Sequence, residues 1–197
     1  MGVTEDTDGA VVQRVLAGDV EAFALLVDRH HPRLARYAVH LLGDHGEAEE
    51  AVQDAFVRAY RSLARYEDRE RFGAWVLRIL VNRCRTALQR DSRRSEATAA
   101  WMRDTIAAGE AAWTGRGETT FEPEERVEQE TLRKELAAAL AQLPAAQREA
   151  VVLRHGEELA YEEIAVITGT GISALKMRVK RGCERLRSLL EASRAET

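Results

Sequence analysis

The sequence predicts an all-α protein made of two small helical domains joined by a linker. Three observations carry that prediction. First, the 197 residues are 45% hydrophobic but only 6% aromatic, with three prolines, and Ala, Leu, Glu and Arg, all good helix formers, dominate. Second, apolar residues recur at intervals of three and four along most of the chain, the spacing that lines one face of a helix. Third, this pattern lapses once, over residues 95–126, where small and polar residues and Gly109, Gly115, Gly117 and Pro123 take over. The boundaries are therefore 1–94, a linker at 95–126, and 127–197, a division that suits the length.

The first stretch, VVQRVLAGDVEAFALLVDRHHPRLARYAVHLLGD, holds two helical segments. Asp19 after Gly18 is a candidate N-cap, and Ala22, Phe23, Leu26 and Val27 form an apolar stripe. Pro32 restricts His31 and predicts a break or kink, after which Leu34, Ala38, Leu41 and Leu42 resume the apolar face. GDHGE reads as a turn. In EAEEAVQDAFVRAYRSL the residues Val52, Ala55, Phe56, Ala59 and Leu63 share one side, with Gln53, Asp54, Val57, Arg58 and Arg61 toward the other.

After the loop ARYEDRER comes FGAWVLRILVNRCRTALQRDSRR, with a wide stripe of Phe72, Trp75, Val76, Ile79, Leu80, Ala87 and Leu88. Arg78, Asn82, Arg85 and Gln89, spaced by four, three and four, line the opposite face. Cys84 continues the apolar row and reads as a small core residue. Arg83 falls inside the stripe, where the sequence offers only snorkelling or a local bend as its reason. The linker carries Trp101, Met102, Ile106 and Trp113, apolar side chains that predict docking on a partner or between domains, with a short helix around 97–112 as one form of it. VEQETLRKELAAALAQL follows, then Pro144 at a helix-opening N1 position in PAAQREAVVLRHGEEL.

The segment YEEIAVITGTGISALKMRVKRG has the form of a helix-turn-helix. Ala165 is the small residue that permits close crossing, Gly169 the turn glycine, and Leu175 the apolar anchor. Advancing about 100° per residue from Leu175, Ile172, Val179, Gly182, Cys183 and Leu186 gather on one side. Ser173, Lys176, Met177, Lys180, Arg181 and Glu184 gather on the other. Met177 amid cations suits contact with base edges or a thymine methyl, although single exposed apolar residues are common.

Charge sharpens the picture. The net charge is −4, unpromising for a polyanion binder, but it is an average over unlike segments. Residues 58–94 hold 11 basic and 4 acidic side chains and residues 172–197 hold 7 and 3, while every other segment is acidic. Two basic patches in acidic surroundings fit contact with a polyanion at two places; solvated arginine-rich helix faces are the plainer alternative.

Several classes are disfavoured. No apolar run nears the roughly 20 residues needed to cross a bilayer, and the acidic start MGVTEDTDGA lacks a signal-peptide pattern, so a cytoplasmic location is expected. Cys84 and Cys183 are far apart, without CxxC spacing, and the five histidines are scattered, so no metal, disulfide or cofactor is expected. His30 and His31 read as ordinary surface or boundary residues. No nucleophile–base pair or phosphate-binding glycine loop stands out, so no catalysis and no small-molecule substrate are expected.

Four ordered blocks carry a resemblance over nearly the whole chain: AGDVEAFALLVDRHHPRLARYAVHLLGD, AEEAVQDAFVRAYRSL, FGAWVLRILVNRCRTAL and LPAAQREAVVLRHGEELAYEEIAVITGTGISALKMRVKRGCERLR. Together they resemble the extracytoplasmic-function (ECF) sigma factors, the smallest sigma-70-type bacterial initiation factors. The resemblance implies a sigma-2-like domain over 1–94, docking on the clamp of core RNA polymerase through Gln53, Asp54, Arg58 and Arg61. It implies melting of a promoter minus-10 element with Arg71, Arg78, Asn82 and Arg85, where Asn82 matches an asparagine that holds a flipped base and the loop YEDRER matches the loop covering it. A sigma-4-like domain over 127–197 is implied to read the minus-35 element with Ser173, Lys176, Met177, Lys180 and Arg181. Polymerase clamp and flap regions, promoter DNA and an anti-sigma factor are the implied partners, without membrane insertion.

The chain departs from the family at three points: Met177 stands where a small residue is common, Gly171 where proline is frequent, and Cys183 where arginine is frequent. These departures bear on promoter sequence, not on fold. A dimeric stand-alone helix-turn-helix regulator, and a helical module that sequesters another factor, are the competing readings; no strong heptad seam supports the dimer.

Overall fold

The computed structural model describes residues 7–67, 71–102 and 123–195. Their regular structure is helical: α1 (Asp8–Leu16), α2 (Phe23–Leu42), α3 (His45–Ser62), α4 (Phe72–Met102), α5 (Pro123–Ala141), α6 (Ala145–Val151), α7 (Tyr161–Thr168) and α8 (Ile172–Ala195). Short 3-10 turns occupy Val20–Ala22 and Leu63–Arg65, and a wide π turn, Val152–Gly156, extends α6.

Local chemistry sets the boundaries. Thr7 accepts the Ala10 N–H and caps α1, whose apolar side buries Val11, Val12 and Val15. Asp19 accepts the Ala22 N–H, as expected, and is held by Arg14, which donates to it at 3.1 and 2.8 Å. That hydrogen bond keeps the Asp19 carboxyl below its ordinary range. Of the break or kink expected at Pro32, the break does not occur: α2 runs through it as one helix of 20 residues. Proline removes one N–H, but Leu26 before it and Leu34, Tyr37 and Leu41 after it are all buried along the same helix, and this packing on both sides favours its continuation. The expected turn GDHGE is shorter than expected. Gly43 ends α2, Asp44 accepts the Glu47 N–H at 2.8 Å, and α3 begins at His45.

α2, α3 and α4 pack together around Tyr37, Leu41, Val52, Ala55, Phe56, Phe72 and Leu80, with α1 across one end. The stripe on α4 also includes Leu77 and Val81, which the sequence assignment left out. Cys84 lies in this core, and burial pushes its thiol up to about 12. Arg83 does not snorkel: it forms an ion pair with Asp54 of α3, which also accepts from Arg58 Nε at 3.0 Å. His30 and His31 pair with Asp8 (2.8 Å) and Glu49 (3.3 Å).

α4 continues to Met102 and α5 starts at Pro123, so helix extends into both ends of the expected linker. Ile106, Trp113 and the rest of 103–122 lie outside the described residues, as does the side chain of Trp101. In the second half, Pro144 caps α6 from the position before its first residue, one place earlier than expected. Its extended backbone (ψ 136°) suits the role. α6, α7 and α8 enclose Leu153, Ile164 and Leu175. α2 packs on α5 and α6, and α4 packs on α7, so the two halves form one body with a continuous apolar core.

Candidate nucleic-acid interface

The helix-turn-helix forms as the residues require. α7 ends at Gly169, whose φ of 66° is left-handed, a conformation glycine adopts without strain. Glu163 closes the other end by accepting the Ala160 N–H at 2.9 Å. Leu175 is buried and anchors α8. Gly182 faces α6 so closely that a Cβ there would meet Val151 Cγ2 at 2.6 Å.

With that side of α8 buried, Ser173, Lys176, Met177, Lys180 and Arg181 are all exposed on the other. Met177 keeps 47% of its surface open. The Lys180–Glu184 pair, 4.0 Å apart and solvated, holds Lys180 weakly. One support was missed in the sequence. The Tyr161 ring lies under Arg154 (5.1 Å to its centroid) and Lys176 (5.7 Å), a cation–π arrangement that orients Lys176 from behind. Tyr161 sits at the start of α7, and no spacing rule within α8 points to it.

The second basic face lies on α4. Arg71, Arg78 and Asn82 are exposed. Beside them the Tyr66 and Trp75 rings lie tilted to each other with centroids 4.9 Å apart, and Phe72 lies 5.7 Å from Trp75. These aromatics were assigned to the core or the loop, yet Tyr66 and Trp75 line an open groove together with Arg65, Arg71 and Arg78. Interleaved aromatic and basic residues were the available signal. Arg85 departs from its expected row. Its Nε and Nη2 donate to the two oxygens of Glu149, both at 2.7 Å, and Nη1 donates to the Thr168 carbonyl at 2.8 Å. The bonds to Glu149 raise the guanidinium above its ordinary range. Asp68–Glu70 of the loop before Phe72 lie outside the described residues.

On α3, Gln53, Arg58 and Arg61 are exposed and Asp54 is partly covered by its two arginines. Val57 and Tyr60 are exposed beside them. An apolar pair thus sits among polar side chains, and Tyr60 is the member the sequence did not select. Cys183 faces His155 at 3.7 Å on a groove that His40 also lines. Burial raises the Cys183 thiol, and among the described residues no group of three or more metal-binding side chains converges.

Two family models match the chain. Residues 26–94 match the model of sigma-70 region 2, and residues 133–186 match that of sigma-70 region 4. The chain is 30% identical over 193 residues to the RNA polymerase sigma-H factor of Pseudomonas aeruginosa, covering 96% of each chain. It is 32% identical over 178 residues to the ECF RNA polymerase sigma-E factor of Escherichia coli K12, covering 90% of this chain and 91% of that one. Among solved structures, the sigma factor RpoE of Bartonella quintana, crystallised with the anti-sigma factor NepR, superposes with a TM-score of 0.66 at 26% identity, over 86% of this chain and 96% of that one. The chain belongs to the ECF sigma factors of the sigma-70 class, the subunits that direct RNA polymerase to promoters.

Proposed function

We propose that the two exposed basic faces divide promoter recognition between them. Lys176, Met177, Lys180, Arg181 and Ser173 read duplex at the minus-35 element from α8. Arg71, Arg78, Asn82 and Arg85 hold the single strand melted at minus-10. The observation that carries this reading is the exposed row on α8: four of its five side chains can hydrogen-bond to bases or phosphates, and the fifth is an apolar side chain that suits a thymine methyl. Gln53, Asp54, Arg58 and Arg61, with Val57 and Tyr60, dock on the polymerase clamp. The working units are 1–94 and 127–197, joined by 95–126.

The chemistry explains the division of labour with polymerase. Splaying one base costs roughly a few kcal/mol, and a chain of net charge −4 gains little from non-specific attraction to DNA. Polymerase supplies both the melted geometry and the fixed distance between the elements. The protein acts in the cytoplasm without catalysis or cofactor of its own, and an anti-sigma factor controls its access to polymerase. Transcription from a promoter library with purified core polymerase tests the reading. Discrete start sites sharing two spaced elements are expected; absence of promoter-specific transcripts overturns it, as does tight, specific duplex binding by a dimer without polymerase.

A further inference from the structure

Within the exposed row, α8 offers a counter-charge to Lys180 but not to Lys176. Lys180 has Glu184 one turn on, 4.0 Å away. At the positions a helix brings beside Lys176 there is no acid: Ile172 and Ser173 precede it, and Val179 and Lys180 follow. What lies against its ammonium is a ring from another helix. The Tyr161 centroid is 5.7 Å from Lys176 Nζ. Tyr161 opens α7 and is half-buried against the core. The guanidinium of Arg154 lies 5.1 Å from the same ring, and Arg154 Nη1 donates to the carbonyl of the buried Leu159 at 2.8 Å. A row of contacts thus runs from Leu159 through Arg154 and Tyr161 and ends at Lys176.

A lysine is a point charge on a flexible stem, and it loses rotamer freedom when it engages one base. Left to itself near DNA it is satisfied equally by phosphates, which carry no sequence information. A ring face attracts the ammonium and restricts the stem before DNA arrives, so less ordering remains to be done on binding. The ammonium has three N–H donors. With the ring on one side of it, the others point outward. Resting on the assignment of α8 to the minus-35 element, we propose that Tyr161 is a positioning residue for sequence specificity. Its ring, braced by Arg154, holds Lys176 toward a base edge and away from the phosphates. The base is a guanine, whose O6 and N7 are the acceptors that suit a lysine in the major groove. The ring face does this, so the tyrosine hydroxyl is dispensable.

The free chain tests the contact itself. Its only lysines are Lys134, Lys176 and Lys180, so carbon-13 lysine labelling gives three ε-methylene signals in an NMR spectrum. A methylene held over a ring face is shielded, and the Lys176 signal is expected upfield of the other two. Tyr161→Phe should leave it there, and Tyr161→Leu should return it to the position of the others. A Lys176 signal that Tyr161→Leu does not move overturns the positioning.

Holoenzyme tests the consequence. Its affinity is measured, at one salt concentration, for promoter duplexes in which each minus-35 base pair is changed in turn. Lys176→Ala is expected to flatten a preference for guanine at one position by about 10-fold, within the range of one good base contact. Tyr161→Leu should lose about 2- to 5-fold of that preference at the same position alone, as one exposed cation–π contact is worth. Tyr161→Phe should keep it. Added to Lys176→Ala, Tyr161→Leu should change nothing further, because the two act as one unit. Loss of affinity spread evenly over all positions in Tyr161→Leu overturns the proposal, since a general weakening of α7 and α8 gives that pattern. Equal losses in Tyr161→Phe and Tyr161→Leu overturn it in favour of the hydroxyl. An intact preference in Tyr161→Leu, with Lys176→Ala flattened, removes the positioning and leaves the minus-35 reading standing. No change at any position in Lys176→Ala removes Lys176 from that reading, and the role of Tyr161 with it.

Discussion

The basic faces of α8 and α4 differ in composition and in how far their cations are engaged by the rest of the chain. On α8 the row of Ser173, Lys176, Met177, Lys180 and Arg181 is exposed, its Lys180–Glu184 pair solvated and its Lys176 supported from behind by Tyr161. On α4 Arg85 is bound to Glu149 and Thr168, and Arg78 faces a groove whose far wall carries Glu162 and Glu163. The contrast follows from the target. Duplex DNA presents its groove edges ready-made, so a reader can wait exposed. A single strand must first be made, so a face that holds one acts only after melting.

The largest expected effect comes from removing the anchor that holds α8 in place. Leu175→Ala deletes a buried side chain and should lower stability by about 2–5 kcal/mol, read as a lower urea midpoint. It should abolish minus-35 recognition while the α4 face keeps its fold. Equal loss of both faces would mean that they are a single cooperative unit. Next come the exposed side chains themselves. Lys176→Ala and Met177→Ala should each weaken binding of holoenzyme to minus-35 duplex by about 1–3 kcal/mol if they touch bases. Lys180→Ala, if it touches phosphate, should weaken all sequences alike and reduce the salt slope by about one. Asn82→Ala removes one polar contact, worth about 0.5–1.5 kcal/mol, and should slow open-complex formation without altering duplex affinity. A loss of duplex affinity in Asn82→Ala would erase the distinction between the faces.

The α8 face was legible in the sequence because everything that shapes it is local. One turn glycine, one anchor and a helical period place all five residues, and the structure leaves each of them exposed. The α4 face was legible only in part. Spacing set Arg78, Asn82 and Arg85 in one row, of which the structure leaves Arg78 and Asn82 exposed; Glu149 lies 64 positions from Arg85 and Thr168 lies 83, so no periodicity within α4 could pair them. Arg83 was opaque for the same reason: its partner Asp54 belongs to another helix. Pro32 misled in the opposite direction, since a local rule predicted a break that burial on both sides of it overrides.

The smallest expected effect concerns the junction between the halves. His40, near the end of α2, lines grooves shared with the second half, where Leu140, Arg148 and Lys134 are among its neighbours. Burial first, and the charge of Arg36 second, hold its pKa below the ordinary 6.5. The neutral ring is thus the form the folded state prefers. Above about pH 6.5 neither state binds the proton and nothing changes. As pH falls below that value the unfolded chain takes up the proton first, so stability declines until the folded ring also titrates. The urea midpoint should therefore drop on acidification from pH 7.5 to 5.5, and His40→Gln should remove part of that drop. A drop of the same size in His40→Gln would assign the acid sensitivity to other groups.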